Sequence, residues 1–503
     1  MNYTRQFAQH AAITVVTTVL TGILFYVLRI VLYNNLTPAE YGLFYTLFSF
    51  VTIVQIVVTF GFDPGLVPYV TQFRETGDFG SAKSLILGSL LPQGLALGVV
   101  AAVFCFVPGF VVNALQLEAP EATGLLQLLV LHAVCVLLFK SGQQVLLGVQ
   151  AIAWRNASDF ARAIVCVSSA AWMLHAGWGV YATAIAYTLG AFIEVLVQLV
   201  AILFAVPQLA RARTSWRPDL VRNAFDSGKW LSLAFGGIVV FSALDTVVIS
   251  LVRSSDDVAA YQVALPTATI LYSLMIAAGL SLLPAVRTLW IRGERAVLER
   301  GIERLYETAV AVMLPAGVVL ACGSDVLMTS LFRADILNAP DAFEVLAVGG
   351  IAFFLAYINL HILAGIDEPR AAGLAVLSGL CVYAVLLPAA TYLLGIRGAA
   401  LSGVVGYLVA GGLSYTVIKK KVTLRFPMRG LLGTLALSLM LAVAGFTLRT
   451  FGWVTVDRPV QSLMIGLILG GAGLLVAEVS GFSHFRALFR ELRQRQQHTP
   501  AAG

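Results

Sequence analysis

The sequence predicts an all-α polytopic membrane protein of about fourteen transmembrane helices, in two pseudo-symmetric six-helix lobes followed by two C-terminal helices. Three observations predict it. Of 503 residues, 59% are apolar and only 12% charged, about half the charged share of an ordinary soluble domain. The apolar residues gather in blocks of about 20, the length that a hydrocarbon layer of about 30 Å asks of a helix. Short motifs also recur at a spacing of 217 residues.

The expected spans are 11–33, 43–62, 84–107, 122–149, 160–176, 178–205, 231–252, 260–286, 306–322, 343–365, 371–394, 398–418, 431–449 and 460–480. The first block is full length and lacks the small-residue cleavage pattern of a signal peptide. The fifth and sixth are divided only by "HAGWG" at 175–179. Prolines and glycines inside spans are tolerated where neighbouring helices satisfy the freed backbone groups.

Fourteen spans put both termini and alternate loops on one side. That side carries 24 of the Lys and Arg residues and the other side five, with Arg29, Lys140 and Arg162 inside spans. The asymmetry predicts a multi-pass membrane protein with both termini cytoplasmic. The net charge of +6 is therefore a topology signal and does not point to nucleic acid. Cys105, Cys135, Cys166, Cys322 and Cys381 all fall in apolar blocks and read as small hydrophobes, with neither a disulfide framework nor a metal site expected.

The repeat pairs "TPAEYGLFYTLFSF" (37–50) with "SSDDVAAYQVALPT" (254–267), and "LLGVQ" (146–150) with "LAGID" (363–367). Gly61 and Gly279 close the second and eighth spans, and "GWGVYAT" (177–183) corresponds to "GIRGAAL" (395–401). The expected organisation is an N-terminal lobe at 1–210, a C-terminal lobe at 211–425, and two extra helices with a basic cytoplasmic tail at 426–503. The offset covers an even number of spans, so both copies have the same orientation. Parallel repeats of this kind are a transporter design, with a substrate site between lobes exposed to alternate sides.

Polar groups inside spans mark the expected site, because an ionised side chain at mid-membrane costs about 2.5 to 3.5 kcal/mol on insertion scales. Lys140, Gln143 and Gln144 are three or four residues apart and share one helix face; His132 lies on the same stripe. Lys140 is also roughly 13 Å from the cytoplasmic end of its span, within snorkelling reach. Arg29 lies near the outer end of the first span and Arg162 near the cytoplasmic start of the fifth. Glu194 and Asp245 sit within the sixth and seventh spans, either to pair with a basic group, Lys140 or Arg29 in the case of Glu194, or to take part in ion coupling. In the second half Tyr357 and His361 are four apart, and His361 matches Gln144 at the repeat offset. Arg29 and Lys140 against Glu194 bias the N-terminal lobe toward an anion, and phosphate suits Arg and Lys. No Walker loop, zinc-protease motif or nucleophile elbow is present in the sequence, so neither an enzyme nor a cofactor is expected.

The stretch "NNLTPAEYGLFYTLFSF" (34–50), followed by "FGFDPGLVPYVTQFRETGD" (60–78), resembles the polysaccharide repeat-unit flippases. This family, of O-antigen and exopolysaccharide type and Wzx-like, belongs to the superfamily of multidrug, oligosaccharidyl-lipid and polysaccharide exporters. The resemblance extends over essentially the whole chain. It implies translocation of an undecaprenyl-pyrophosphate-linked oligosaccharide across the inner membrane by alternating access, for cell-surface, lipopolysaccharide or exopolysaccharide synthesis. It also implies membrane lipids, a polysaccharide polymerase and export machinery as partners, and a cationic central cavity, with Arg29 matching a first-helix arginine of the family; Arg29, Lys140, Gln143, Gln144, Tyr357 and His361 are the residues expected to contact pyrophosphate or sugar. Asp63-Pro64 departs from the family's usual order of small and acidic residues. A drug antiporter of the same superfamily and a membrane polysaccharide polymerase are the competing readings.

Overall fold

The computed structural model describes residues 3–214, 216–333, 336, 338–424 and 428–479. Every regular element among them is a helix. In chain order the first are α1 (Tyr3–Asn35), α2 (Pro38–Val58), α3 (Asp63–Thr76), α4 (Phe79–Phe106), α5 (Pro108–Ala114) and α6 (Ala122–Gly148). Next come α7 (Ile152–His175), α8 (Val180–Ala205), α9 (Pro207–Arg211), α10 (Pro218–Val252), α11 (Ser255–Arg292) and α12 (Arg295–Cys322). The last are α13 (Ser324–Leu331), α14 (Ala339–Gly365), α15 (Pro369–Leu394), α16 (Ile396–Lys421), α17 (Met428–Thr450) and α18 (Pro459–Val479).

Thirteen of the described helices are long and apolar enough to cross a membrane. The eighth expected span, 260–286, falls within α11, a single helix of 38 residues; the side chains of 271–281 lie outside the described residues. The division at "HAGWG" is real: α7 ends at His175, α8 begins at Val180, and Gly177 and Gly179 take φ of +81° and +57°. That left-handed backbone is open to glycine at little steric cost.

The helices are longer than the apolar blocks. α7, α10 and α12 begin roughly two to four turns before their expected starts. Hydropathy marks only the part of a helix in hydrocarbon, whereas the backbone ladder continues into the charged ends because each turn satisfies its own hydrogen bonds. The short helices α3, α5, α9 and α13 replace stretches expected to be loops.

Packing divides the chain into two compact units, Met1–Val263 with Glu368–Ala410, and Ala264–Asp367 with Gly411–Gly503. These follow spatial contact, while the halves at 1–210 and 211–425 follow the repeat. In the first unit α6, α7 and α8 pack together, α1 lies on α7, and α10 packs on α2, α3 and α15. A capping box opens α2: the Thr37 hydroxyl accepts from the Glu40 amide at 3.2 Å, and Glu40 Oε2 accepts from the Thr37 amide at 2.9 Å. Pro38 occupies the first turn, where its missing N–H is harmless. Asp78 caps α4 by accepting from the Ser81 amide at 3.0 Å, and the bonds from Ser81 hold its carboxyl below the usual carboxylate range.

α3 is seated on the end of α6 by the Thr71 hydroxyl, which donates to the Gly148 carbonyl at 3.0 Å. Leu66, Val70, Leu85 and Val145 form the apolar contact around it. The basic linker before α10 is fastened to α4. Lys83 donates to the Ala210 and Ala212 carbonyls at 2.9 and 3.1 Å. The Arg217 amide donates to Ser84 Oγ at 3.1 Å, and its guanidinium to Ser81 Oγ at 3.2 Å.

In the second unit α12 packs against α14, α17 and α18. Val319 meets Leu437 and Leu441, and Arg449 at the end of α17 pairs with Asp325 on α13. A buried polar bridge joins three helices: the Tyr306 hydroxyl donates to Asn359 Oδ1, and Asn359 Nδ2 donates to the Gly411 carbonyl at 3.0 Å.

α3 and α10 approach backbone to backbone. A Cβ at Gly65 would lie 2.1 Å from the Ala224 carbonyl oxygen, and one at Gly228 would lie 2.2 Å from that of Gly61. Gly65→Leu is expected to destabilise the protein by about 1–3 kcal/mol through overpacking, seen as a lower thermal midpoint in detergent. Gly94→Ala on α4, where a Cβ meets nothing within 4 Å, is expected to leave the midpoint unchanged or slightly raised.

Candidate functional site

Among the described residues of the first unit, Glu194 and Arg162 belong to one bonded network, Arg29 and Asp245 to another, and Lys140 to neither. The first network lies among α6, α7 and α8. Glu194 is fully buried, and its Oε2 lies 2.7 Å from Arg162 Nε. Gln143 Nε2 donates to Glu194 Oε1 at 2.8 Å, and Gln198 Nε2 donates to the same oxygen at 3.0 Å. Arg162 also pairs with Asp159, one turn earlier, and its guanidinium lies 4.6 Å from the Phe25 ring centre, in the cation–π range. Glu194 therefore pairs with Arg162, not with Lys140 or Arg29 as its position in the sequence implied. Charge separation along the chain does not reveal which helix faces which, and the close packing of α7 on α8 brings Arg162 to the carboxylate. Gln143, expected at a ligand, spends its amide N–H on this pair.

The second network surrounds Arg29 on α1. Its Nη1 donates to the Gln262 carbonyl at 3.0 Å and to Gln262 Oε1 at 2.7 Å. The guanidinium stacks 4.2 Å from the centre of the Tyr45 ring. The Tyr45 and Tyr187 hydroxyls are 3.3 Å apart, and Phe44, Phe48 and Tyr187 complete an aromatic wall. Gln262 Nε2 donates to Thr246 Oγ1. Thr246 in turn donates to Asp245 Oδ1 from its amide at 2.6 Å and its hydroxyl at 3.1 Å. Asp245 is buried, so α1, α10 and α11 are joined by a continuous polar thread.

Lys140 stands apart. It is half-buried on α6, within electrostatic reach of Asp63 on α3 and of Arg162. Among the described residues it forms no direct ion pair or hydrogen bond. Asp63 Oδ1 is buried without a hydrogen-bond partner, and loss of water raises its carboxyl to about 6 despite the nearby ammonium. Gln144, half-buried one residue past Gln143, has no hydrogen-bond partner among the described residues.

In the second unit Tyr357 and His361 stack with ring centres 4.5 Å apart. His361 Nδ1 lies 2.9 Å from the Tyr357 carbonyl. Tyr357 stands at the repeat offset from Lys140, as His361 does from Gln144. The structure thus brings Gln143 to Glu194, Tyr357 to His361, and Arg29 to Asp245 through Gln262 and Thr246, while Lys140 stands outside these groups.

Sequence reasoning passed over Gln262 and Thr246. A signal for them exists: the repeat offset carries Arg29 onto Thr246 and Tyr45 onto Gln262, so the four residues that meet are two copies of one pair of positions.

Breaking one side of a buried ion pair leaves an uncompensated charge, at a cost of about 3–5 kcal/mol. Glu194→Ala is expected to lower thermal stability by that order. The double change Arg162→Met with Glu194→Leu is expected to recover most of the loss, checked by melting both variants in the same detergent.

The fold is that of known membrane transporters. A lipid II flippase, MurJ, in an inward closed conformation superposes with a TM-score of 0.74 at 12% identity, covering 93% of this chain and 99% of that one. A multidrug resistance MATE family transporter of the MOP superfamily, inward-facing, superposes with a TM-score of 0.63 at 15% identity, covering 82% and 98%. In sequence, an uncharacterised membrane protein of Methanocaldococcus jannaschii is 24% identical over 401 residues, 76% of this chain and 78% of that protein. The lipid II flippase MurJ of Bacillus subtilis is 23% identical over 224 residues, 42% of this chain and 40% of its own length. The model of the polysaccharide biosynthesis protein family matches residues 7–290. With more than half of its length matched, on an all-helical multi-pass fold, the chain belongs to the polysaccharide biosynthesis protein family.

Proposed function

We propose that the protein is a flippase that moves undecaprenyl-pyrophosphate-linked oligosaccharide repeat units across the inner membrane by alternating access, with both termini cytoplasmic. Its product would serve cell-surface or exopolysaccharide synthesis, including the O-antigen of lipopolysaccharide, with a polymerase and export machinery acting next. The observation that carries this reading is Lys140, a cation inside a span with no direct ion pair or hydrogen bond among the described residues. A charge left in that state is expected to meet water or an anionic ligand, and a pyrophosphate supplies one. Arg29 is the second cation, held on the Tyr45 ring, and Gln144, Tyr357 and His361 are assigned to the sugar. Glu194 is assigned to structural pairing with Arg162. Family membership supports transport of a polysaccharide precursor over catalysis, and the likeness to a lipid II flippase supports a lipid-linked one.

Purified protein in vesicles is expected to move a fluorescent undecaprenyl-pyrophosphate oligosaccharide between leaflets. Lys140→Ala is expected to slow that movement about tenfold or more, the order set by loss of a charged contact of about 1.5–3 kcal/mol, while the protein still reaches the membrane. Undiminished movement by Lys140→Ala would overturn the assignment of Lys140. Likeness to the multidrug transporter fold supports a second reading, small-molecule antiport. Drug uptake by the same vesicles with no lipid movement would favour it, and glycosidic bond formation by the isolated protein would instead mark a polymerase.

A further inference from the structure

We infer that Asp245, Thr246 and Gln262 form a positioning chain that fixes the Arg29 guanidinium as a phosphate-binding cation; the inference rests on the flippase reading. Every bond in the chain runs the same way. The Arg29 guanidinium donates to the Gln262 side-chain oxygen at 2.7 Å. Gln262 Nε2 donates to the Thr246 hydroxyl oxygen, and that hydroxyl donates to Asp245 Oδ1 at 3.1 Å. A cation stands at one end and a carboxylate at the other, with neutral groups between them that both accept and donate. Such a chain orients each member, because Gln262 can satisfy Thr246 and Arg29 together only with its N–H toward one and its oxygen toward the other.

The geometry suits positioning better than neutralisation. A carboxylate in direct contact with Arg29 would occupy the face of the fork that binds a phosphate bidentately. Here Asp245 acts from two residues away, and what touches Arg29 is an amide oxygen and a backbone carbonyl, both on Nη1. The Tyr45 ring fixes the guanidinium plane from one side. The remaining donors of the fork keep a set direction, so less side-chain entropy is lost when an anion binds. The repeat supports this. Thr246 and Gln262 are the offset equivalents of Arg29 and Tyr45, so one copy of the duplicated pair presents the cation and the other braces it.

Thr246→Val removes the hydroxyl at nearly constant volume and breaks the chain at its middle. Titrating undecaprenyl pyrophosphate into the full chain in lipid nanodiscs, we expect Thr246→Val, Gln262→Met and Asp245→Asn each to weaken binding about five- to tenfold. Thr246→Ser, which retains the hydroxyl, is expected to restore affinity. Thr246→Val with Asp245→Asn is expected to bind no more weakly than either alone, because one break already disconnects the chain. Unaltered affinity in both Thr246→Val and Gln262→Met, each checked for a cooperative melt, would overturn the inference. Losses that multiply in the double variant would also overturn it. Binding that falls with Lys140→Ala but follows neither pattern above would leave the flippase reading standing alone. No binding by the unaltered protein would remove both.

Discussion

An ionised group carried into a hydrocarbon layer must be matched by opposite charge, by hydrogen-bond partners or by water, and the interior of the first unit is arranged around that requirement. Its three in-span cations meet it in three ways. Arg162 is matched directly, against a fully buried carboxylate that two glutamines also bond. Arg29 is matched at a distance, through an amide and a hydroxyl that end on Asp245. Lys140, among the described residues, has no direct ion pair or hydrogen bond and lies within electrostatic reach of Asp63. Burial alone does not separate these three cases, since all three residues are at least half-buried.

The gradation also accounts for where the helices had to go. Matching Arg162 requires α7 to lie on α8 with α6 beside it, and the three helices pack so. Matching Arg29 brings α1 and the first turns of α11 together beside α10. The aromatic wall of Phe44, Phe48 and Tyr187 belongs to the same requirement, because a ring face is one of the few apolar surfaces that welcomes a guanidinium.

Much of this fold was legible from residue order. The blocks of apolar residues located the spans, the glycines of "HAGWG" located the hardest boundary, and the alternation of basic loops was consistent with the count. The structure starts α2 at Pro38, five residues before the expected span, where Thr37 and Glu40 close a capping box that hydropathy does not register. What residue order concealed was lateral. Hydropathy has no term for the direction a side chain faces around its helix, so Lys140 and Arg29 were the basic partners offered for Glu194 and Arg162 was passed over. Gln262 was passed over for another reason: a glutamine carries no formal charge, and its importance comes from standing between two residues that do. The charged overhangs of α10 and α12 were missed because polar residues look like loop when only the membrane core is sought.

The fastening of the 207–217 segment has a practical consequence. A connection between two membrane helices is ordinarily the first place to insert a tag, a reporter or an epitope, since surface loops absorb added length at little cost. Here Lys83, Ser84 and Ser81 grip that segment through the Ala210 and Ala212 carbonyls and the amide and side chain of Arg217. Any added sequence would have to prise it from α4 and disturb the footing of α10. In this protein the connection behaves as a bolted joint, and engineering should treat it as part of the frame.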